Sequence, residues 1–460
     1  MPSTLRSLAN LITSSVDTLE RIYAGANLPL PDLDAPFDAD APAEALRAKP
    51  EVAAAIRTLQ AAAGQISVTV ADPPRHAAET SFIVFLPFAL QAASILNVAD
   101  IIRESGSKGA TSQEISAWNN NADPELITRI LRTLATHHIF REVSPSVFTN
   151  NRISSTLDKN KPVKELYANP AERLVGSSGV AARIEHIAGI GGKSGTELVN
   201  NLLQPGSRLP FGHAYDTDLT LFEWMYQNRD IATRFGYAMM GKEPLELVLE
   251  GFKWKSLKEG DTVVDVGGGL GHLGLIIAKH NPKVRIITQD FSMQVERAKA
   301  YWETNFPEHV QNGKVEWQVH NFFTPEPVKN ATVFLMRNII HDWDDPHAHT
   351  ILRHLRDAAM PTTKLVILEK ILVPVGGGEP DIGVTISGAR KPEGTSPLLP
   401  NWGLASAPVY TSDLAMHILT GGIERTLTAL RDLFAKAGWK LVEVIHSDQS
   451  EISHLISEAA

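Results

Sequence analysis

The residues of this chain that could do chemistry follow short apolar runs in its C-terminal half. His341 comes shortly after the apolar run Thr332–Met336, which predicts a buried strand. An imidazole changes its protonation near neutral pH, so it can remove a proton from a hydroxyl held beside it. A phenol needs such help because its pKa near ~10 leaves it protonated and a poor nucleophile. His341 is therefore a candidate general base, and the alternative is a histidine satisfied within a loop.

A glycine cluster, Gly267-Gly268-Gly269-Leu270-Gly271, lies between the β-branched run Val263–Val266 and an amphipathic segment. This order predicts a strand, a tight loop and a helix whose N-terminal N–H groups can meet a ligand. Asp290 ends the next predicted strand, where its carboxylate can accept hydrogen bonds from ribose hydroxyls. Gly269, Gly271 and Gly274 also fit a dinucleotide fingerprint in a shifted frame. The pattern therefore leaves S-adenosylmethionine, a nicotinamide or flavin cofactor, and no ligand as alternatives.

Strands and helices alternate beyond residue 260. The predicted strands are Thr262–Val266, Arg285–Gln289, Val315–His320, Thr332–Met336 and Leu365–Leu368. This alternation predicts an α/β fold with a mostly parallel, doubly wound sheet. Ligands of such sheets lie at the carboxyl ends of the strands, so the residues that follow each strand are the candidates for a site.

Other acidic and histidine residues have simpler explanations. Glu369 ends a predicted strand, and Glu424 lies where a helix towards Ala437 begins, a position that the helix dipole favours for an acid. Neither glutamate by itself predicts chemistry. Asp345 with Pro346 predicts the start of a helix over His347–Ala359. No metal site is expected, because the histidines of that helix lack a convergent ligand set and the chain has no cysteine.

The N-terminal half is predicted to be mostly helical. Residues 1–75 predict an alanine-rich helical arm. The uncharged stretch Ser81–Ala99 has the length of a membrane span. It contains Pro87 and lacks flanking anchors, so a buried helix in a domain or dimer core is expected instead. The N-terminus shows no secretory signal, which predicts a cytoplasmic protein, and the net charge of −9 argues against nucleic acid and anionic membranes.

A winged-helix pattern follows this stretch. Thr111 and Glu114 predict a capping box, Asp123-Pro124 predicts the start of a second helix, and a hairpin turns at Ser144–Ser146. A DNA-binding regulator must therefore be considered. The candidate recognition helix region is only moderately basic, within an acidic chain, which disfavours that function. Its basic and histidine residues are Arg129, Arg132, His137 and His138.

Aromatic and methionine residues cluster at Phe222–Met225 and Phe235–Met240. Ordinary core packing is one explanation. The other is an apolar wall for a flat substrate, for which the adaptable methionine side chain is suited.

Taken together, these features resemble the plant-type, S-adenosylmethionine-dependent small-molecule O-methyltransferases. The nearest branch is that of fungal secondary metabolism, with enzymes of the sterigmatocystin O-methyltransferase type. The matching segments are Leu131–Ala135, VVDVGGGLG, Asn321–Pro325, RNIIHDWDD, LVILEKIL and GGIERTLTALRDLFAKAGW. With their flanks they span about residues 80 to 448 in the order of the family.

The resemblance implies a homodimer in which the arm at 1–75 is followed by a winged-helix-like dimerisation domain at 76–205 and a Rossmann-like methyltransferase domain at 206–460. It implies that His341 is the general base and that Glu369 and Glu424 orient it. The implied cofactor residues are Asp265, Gly267, Gly269, Asp290, Asn321, Phe322 and Arg337. Candidate residues for a phenolic or enolic aromatic substrate are Trp224, Met239, Met240, Asp342 and Met416.

Two departures from the family pattern affect these expectations. Asn321 stands where the family often has aspartate, although its carbonyl can still bond an adenine amino group. A Gly- and Pro-rich insert at 375–408 separates the two glutamates, and such a loop is either disordered or a functional lid. Some fungal relatives with this fold catalyse pericyclisation or dehydration with bound cofactor. The intact His341-Asp342 pair favours methyl transfer over that alternative.

Overall fold

A computed structural model of the chain describes residues 3–240, 245–377, 386–389, 394–447 and 450–460. The chain divides into two compact units. The sheet unit contains Met1–Leu11, Arg57–Gln65 and Pro244–Ala460, and the helical unit contains Ile12–Ile56 and Ile66–Glu243.

In chain order, the α-helices are α1 (Thr4–Gly25), α2 (Pro42–Ala45), α3 (Pro50–Val70), α4 (Pro73–Phe82), α5 (Phe85–Ile95), α6 (Val98–Ser105), α7 (Ser112–Trp118), α8 (Pro124–Thr136), α9 (Val163–Ala168), α10 (Val180–His186), α11 (Gly192–Gly195), α12 (Leu198–Leu203), α13 (Pro210–Ala214), α14 (Leu221–Gln227), α15 (Arg229–Met240), α16 (His272–His280), α17 (Ser292–Asn305), α18 (Pro307–Gln311), α19 (Asp345–Ala358), α20 (Ala407–Thr420) and α21 (Leu427–Lys436).

The strands are β1 (Ala110–Thr111), β2 (Arg141–Ser144), β3 (Val147–Thr149), β4 (Thr262–Val266), β5 (Arg285–Asp290), β6 (Val315–Val319), β7 (Val333–Arg337), β8 (Lys364–Leu372), β9 (Arg425–Thr426), β10 (Trp439–His446) and β11 (Ile452–Ala459). Short 3₁₀ turns and the π-helical turn Ile187–Gly191 connect some of these elements.

Over its described residues, the sheet unit contains an eight-stranded sheet in the order β10-β11-β8-β7-β4-β5-β6, with β9 paired to β8. Strands β4 to β9 pair in parallel, which confirms the predicted doubly wound sheet. In the sheet, β5 lies on one side of β4, and β7 lies on its other side. In open α/β sheets, ligands bind at the carboxyl ends of the strands beside such a switch in strand order.

The antiparallel pair β10 and β11 at one edge of the sheet was not predicted. A pair of antiparallel strands needs no helical crossover, so the alternation of strands and helices does not reveal it. Its contacts also correct the predicted end of β8. The strand continues past Leu368 to Leu372 because β11 pairs with it as far as Lys370 and β9 pairs with its last two residues. Glu369 therefore lies inside the strand.

The predicted start of the helix after His341 is wrong by one residue. The N-cap of α19 is Asp344, whose carboxylate accepts the N–H of His347 at 3.0 Å. Asp345 instead accepts a hydrogen bond from Arg425 at 2.8 Å. The shift follows from capping geometry, since the side chain that caps a helix bonds the N–H two or three residues later.

The helical unit confirms two predicted helix starts. Thr111 and Glu114 form a capping box at the start of α7, and Asp123 caps α8 with Pro124 in its first turn. Strands β1, β3 and β2 form a small antiparallel sheet beside these helices. The winged-helix assignment itself stays a prediction.

The expected burial of Ser81–Ala99 in a domain core is wrong for the first part of this stretch, and its burial in a dimer core stays a prediction. The stretch divides among α4, α5 and α6, and Pro87 lies in the first turn of α5, where its missing N–H costs no bond. Phe82 and Phe85 are 67% and 59% exposed. By length and composition the run Pro73–Ile95 is apolar enough to cross a membrane, and its most apolar window is only 11% buried.

The insert 375–408 is described only in part, since residues 378–385 and 390–393 lie outside the described residues. Its described parts are packed. Ile386 is buried, and Ser387 pairs with the backbone of β10. Farther along, Gln65 of α3 donates to the carbonyl of Pro397 at 2.7 Å, and Trp402 faces the Arg57 guanidinium at 6.0 Å.

Candidate active site

His341 is presented by a short turn at the carboxyl end of β7. The strand is buried because it lies between two others and is covered on both faces, as its apolar sequence requires. Asn338, with φ of 53°, turns the chain into the 3₁₀ turn Ile340–Asp342. The turn buries His341, which is 4% exposed.

Glu369 holds this turn by its backbone. One carboxylate oxygen, Oε1, accepts the N–H groups of Ile339 and Ile340, each at 3.0 Å. The other, Oε2, lies 3.7 Å from Nδ1 of His341. The buried carboxylate on β8 therefore fixes both the loop and the side of the ring that faces it.

Glu424 makes the closest contact with the imidazole. Its Oε1 lies 3.1 Å from Nδ1 of His341, and both side chains are buried. The residue directly precedes β9, and α21 begins only at Leu427 with Thr426 as its cap. The first-helical-turn explanation for Glu424 is therefore wrong, because the chain adds a strand to β8 before the helix starts.

The contact with Glu424 determines how the imidazole can act. An ionised carboxylate only accepts hydrogen bonds, so Nδ1 of His341 must carry the proton in this pair. The lone pair of the neutral ring is then on Nε2, whose nearest ion-pair partner is Asp342 at 3.7 Å. An imidazole among three carboxylates is well placed to accept a proton, because their charges stabilise its cation.

Two residues without a predicted role hold the loop of His341 against the segment of Glu424. Arg425 donates to the carbonyls of Ile340 and Trp343 at 2.8 and 2.7 Å. At Gly422, a Cβ would lie 2.0 Å from the carbonyl oxygen of His341, so only glycine allows this approach. The Gly421-Gly422 pair was the available sequence signal, whereas nothing local distinguished Arg425.

The loop between β4 and α16 has the backbone that its glycines predict. Gly267, Gly269 and Gly271 have φ of 68°, 58° and 74°, a region that favours glycine. A Cβ at Gly267 would lie 2.6 Å from Ile339, whereas one at Gly269 would meet no atom of the described residues within 4 Å. The loop is thus closely packed on the side of the His341 turn and open at Gly269.

Two carboxylates lie at this loop. Asp290 accepts the N–H of Gly269 at 2.8 Å and that of Phe291 at 2.7 Å. Burial raises the pKa of Asp290, and these N–H groups oppose the shift. Burial also raises the pKa of Asp265 to about 7, with the charge of Asp290 adding to the effect. Among the described residues, the buried Oδ2 of Asp265 has no hydrogen-bond partner.

The remaining predicted cofactor residues lie on the same edge of the sheet. Asn321 follows β6 and uses its Oδ1 to accept the N–H of Phe323 at 3.1 Å. Phe322 borders the glycine loop, since a Cβ on Gly267 would lie 3.8 Å from its ring. Arg337 ends β7, and its charge opposes the rise in the pKa of Asp265 that burial causes. The structure thus brings all seven predicted cofactor residues to the ends of β4 to β7.

The predicted substrate residues fall into both units. In the sheet unit, Asp342 adjoins His341 and Met416 lies on α20. In the helical unit, Trp224 packs against Phe211 and Tyr215, with ring centroids 5.5 and 4.8 Å away. Met239 packs on a small apolar cluster with Leu174. The side chain of Met240 lies outside the described residues, and the substrate role of all five stays a prediction.

His341, Glu369 and Glu424 also have the spacing of metal ligands, with one ligand atom from each within 4.8 Å of the others. Oε1 of Glu424 lies 3.1 Å from Nδ1 of His341, and Oε1 of Glu369 accepts backbone N–H groups. These contacts form an acid–base arrangement. The expectation of no metal stays a prediction.

Comparisons with known proteins identify the family of the chain. An O-methyltransferase domain matches residues 196–384, and an O-methyltransferase dimerisation domain matches residues 78–160. An O-methyltransferase of Armillaria gallica is 38% identical, with 99% of this chain and 98% of that protein covered. The 4-O-methyltransferase 1 of Phanerochaete chrysosporium is 35% identical, with 96% of each covered.

A solved structure described as "A Pericyclic Reaction enzyme" superimposes with a TM-score of 0.66 at 19% identity, covering 88% of this chain and 94% of that chain. This likeness shows the fold alone. The family models and the fungal relatives confirm the resemblance found in the sequence. The chain belongs to the O-methyltransferase family.

Proposed function

We propose that this enzyme transfers a methyl group from S-adenosylmethionine to a phenolic or enolic hydroxyl, with His341 as the general base. The observation that carries the proposal is the 3.1 Å contact between Nδ1 of His341 and Oε1 of Glu424 in a buried site. A histidine held in this way has a defined tautomer and a stabilised cation, which a base needs.

In the proposed reaction, His341 takes the hydroxyl proton on Nε2 while the oxygen attacks the methyl carbon. The new O–C bond forms as the C–S bond breaks, and its electron pair stays on sulfur, which gives S-adenosylhomocysteine. The sulfonium supplies a methyl group that is already activated, so positioning contributes most of the acceleration. Glu369 and Glu424 act on the base, by holding its loop and its ring.

The glycine loop and its carboxylates fit S-adenosylmethionine. The open, positive-φ backbone at Gly269 allows close approach, and Asp265 has a buried oxygen without a partner among the described residues. In this proposal Asp290 binds the ribose, and Asn321 and Phe322 bind on the adenine side. Gly267 and Gly269, with Asp265, would hold the amino-acid end of the cofactor, and Arg337 would lie near the cofactor.

Two other functions have less support. Pericyclic chemistry on the same fold would not need a histidine tied to two glutamates. DNA binding would need free basic groups, but Arg132 of α8 makes a bidentate pair with Glu142, and Arg141 pairs with Asp34. The substrate roles of Trp224, Met239, Met240, Asp342 and Met416 remain proposals from the sequence.

The experiment uses S-adenosylmethionine with a deuterated methyl group and a panel of hydroxylated aromatic compounds. We expect a product that carries the labelled methyl, formed in equal amount with S-adenosylhomocysteine. Mass spectrometry of both compounds checks the stoichiometry. Conversion of a substrate without S-adenosylhomocysteine would contradict methyl transfer and support a non-methylating reaction.

We also propose that the chain is a cytoplasmic homodimer that uses the predicted dimerisation domain, residues 76–205. The support is the match to a dimerisation domain and the apolar run over α4 and α5, whose side chains are largely exposed in one chain. A buried apolar interface would explain this exposure. Sedimentation should give about twice the 50.2 kDa mass of one chain, and a monomer at micromolar concentration would contradict it.

A further inference from the structure

We infer that Ser412 of α20 is a positioning residue that sets the orientation and basicity of His341 through Glu424. The hydroxyl of Ser412 donates to Oε1 of Glu424 at 2.9 Å. This is the same oxygen that lies 3.1 Å from Nδ1 of His341. The inference rests on the proposed function, because it concerns the base of that reaction.

The next residue of α20 holds the backbone of the same glutamate. Oδ1 of Asp413 accepts the N–H of Glu424 at 2.8 Å. Two adjacent residues of one helix thus fix both the main chain and the side chain of Glu424. A glutamate held at its backbone and at its carboxylate has fewer accessible rotamers, so α20 helps to set the distance from the carboxylate to the imidazole.

The hydroxyl also changes the strength of the carboxylate as a hydrogen-bond acceptor. Within the described part of the chain, Oε1 of Glu424 meets Nδ1 of His341, the Ser412 hydroxyl and, at 3.9 Å, the charged Nζ of Lys370. Each donor withdraws electron density from the oxygen and weakens its hold on the imidazolium. The Ser412 hydroxyl therefore makes His341 a weaker base than the two glutamates alone would.

The placement of α20 does not depend on this bond. The side chains of Val409 and Leu419, near the two ends of the helix, are buried. The Tyr410 hydroxyl donates to the carbonyl of Val373. Among the described residues, the neighbouring hydroxyl of Thr411 bonds to carbonyls of its own helix alone. Thr411 is therefore a matched control for Ser412, one position away and exposed.

Other charged groups around the imidazole act on its titration as well. They are Asp342 on its own turn, Glu369 and Lys370 on β8, Glu424 and Arg425 at β9, and Asp413 on α20. None of these groups changes in a Ser412→Ala variant. A shift in titration in that variant is therefore assigned to the lost hydroxyl.

The experiment compares Ser412→Ala, Ser412→Thr and Thr411→Ala in the full-length enzyme. For Ser412→Ala we expect kcat to fall about tenfold with KM nearly unchanged, the effect of losing one hydrogen bond to a charged group. The acid limb of the pH–rate profile should move up by roughly half to one pH unit, because Glu424 then holds the imidazolium more strongly. Ser412→Thr should restore most of both properties.

A second measurement separates this inference from the proposed function. The imidazole of His341 is titrated by NMR in each variant without substrate, and His341→Ala identifies its signal. An upward shift of the midpoint in Ser412→Ala alone supports the inference, even if the wild type transfers no methyl group. If Ser412→Ala titrates and turns over like Thr411→Ala, the inference is overturned while methyl transfer can still stand.

Discussion

Two clusters of buried charge, one in each unit, are similarly buried and differ in their balance of charge. In the helical unit, Lys159 and Asp100 form an ion pair at 3.1 Å with both side chains 0% exposed. Lys159 also donates to the carbonyl of Ser94, whose hydroxyl donates to Glu185, and Glu185 pairs with Arg173. Two carboxylates thus meet two cations.

The cluster in the sheet unit has an excess of negative charge. Its imidazole, His341, is surrounded by Glu369, Glu424 and Asp342, and the nearest lysine nitrogen, of Lys370, is 3.9 Å from Glu424. The fold alone balances the charges of the first cluster, whereas a proton on the imidazole reduces the excess negative charge of the second. The difference indicates a structural role for the first cluster and a chemical role for the second.

Burial acts on the balanced cluster too. It raises the pKa of Asp100 to about 6, with the charge of Lys159 opposing the shift, and it lowers the pKa of Lys159. A perturbed pKa alone therefore does not distinguish a structural cluster from a catalytic one. The balance of charge and the identity of the partners distinguish the two kinds of cluster.

The largest expected effect on stability comes from Lys159→Met. The substitution leaves Asp100 buried without its cation, so the free energy of unfolding should fall by roughly 3–5 kcal/mol. Urea denaturation of the variant measures it. In the double variant with Asp100→Asn, the amide still accepts the backbone N–H of residue 159, and most of the stability should return. A double variant as unstable as the single one would contradict the balanced-pair account.

The matched change in the other cluster should have a much smaller effect on stability. In Glu424→Gln the amide oxygen can still accept from His341 and Ser412, so we expect a loss of about 1 kcal/mol or less. The same denaturation experiment measures it. A loss as large as that of Lys159→Met would mean that the His341 cluster is mainly structural.

The sequence predicts the frame of the sheet unit well. The apolar runs at β4 and β7 are buried between other strands, and such strands give continuous hydrophobic segments. The helix starts at Thr111 and Asp123 were also predictable, because their capping signals lie within a few residues of one another. Buried strands and helix caps can be predicted from one sequence because the residues that cause them are close together in the chain.

The parts that could not be predicted depend on contacts between distant residues. Glu424 had the local pattern of a first helical turn, and only the pairing of β9 with β8 places it against His341. Ser412 resembles any serine of an amphipathic helix until the fold brings it to that carboxylate. The exposure of Phe82 and Phe85 likewise depends on which residues pack against α4 and α5. The composition of the stretch does not show which residues these are.

The central claim is that His341 removes the proton of the methylated hydroxyl, and one measurement tests it most directly. Transfer of a labelled methyl group is followed for the wild type and for His341→Ala on the same accepted substrate, with cofactor affinity and melting temperature measured for both. We expect kcat of the variant to fall by about 10²–10⁴-fold with affinity and melting temperature nearly unchanged. Full turnover by His341→Ala would contradict the claim.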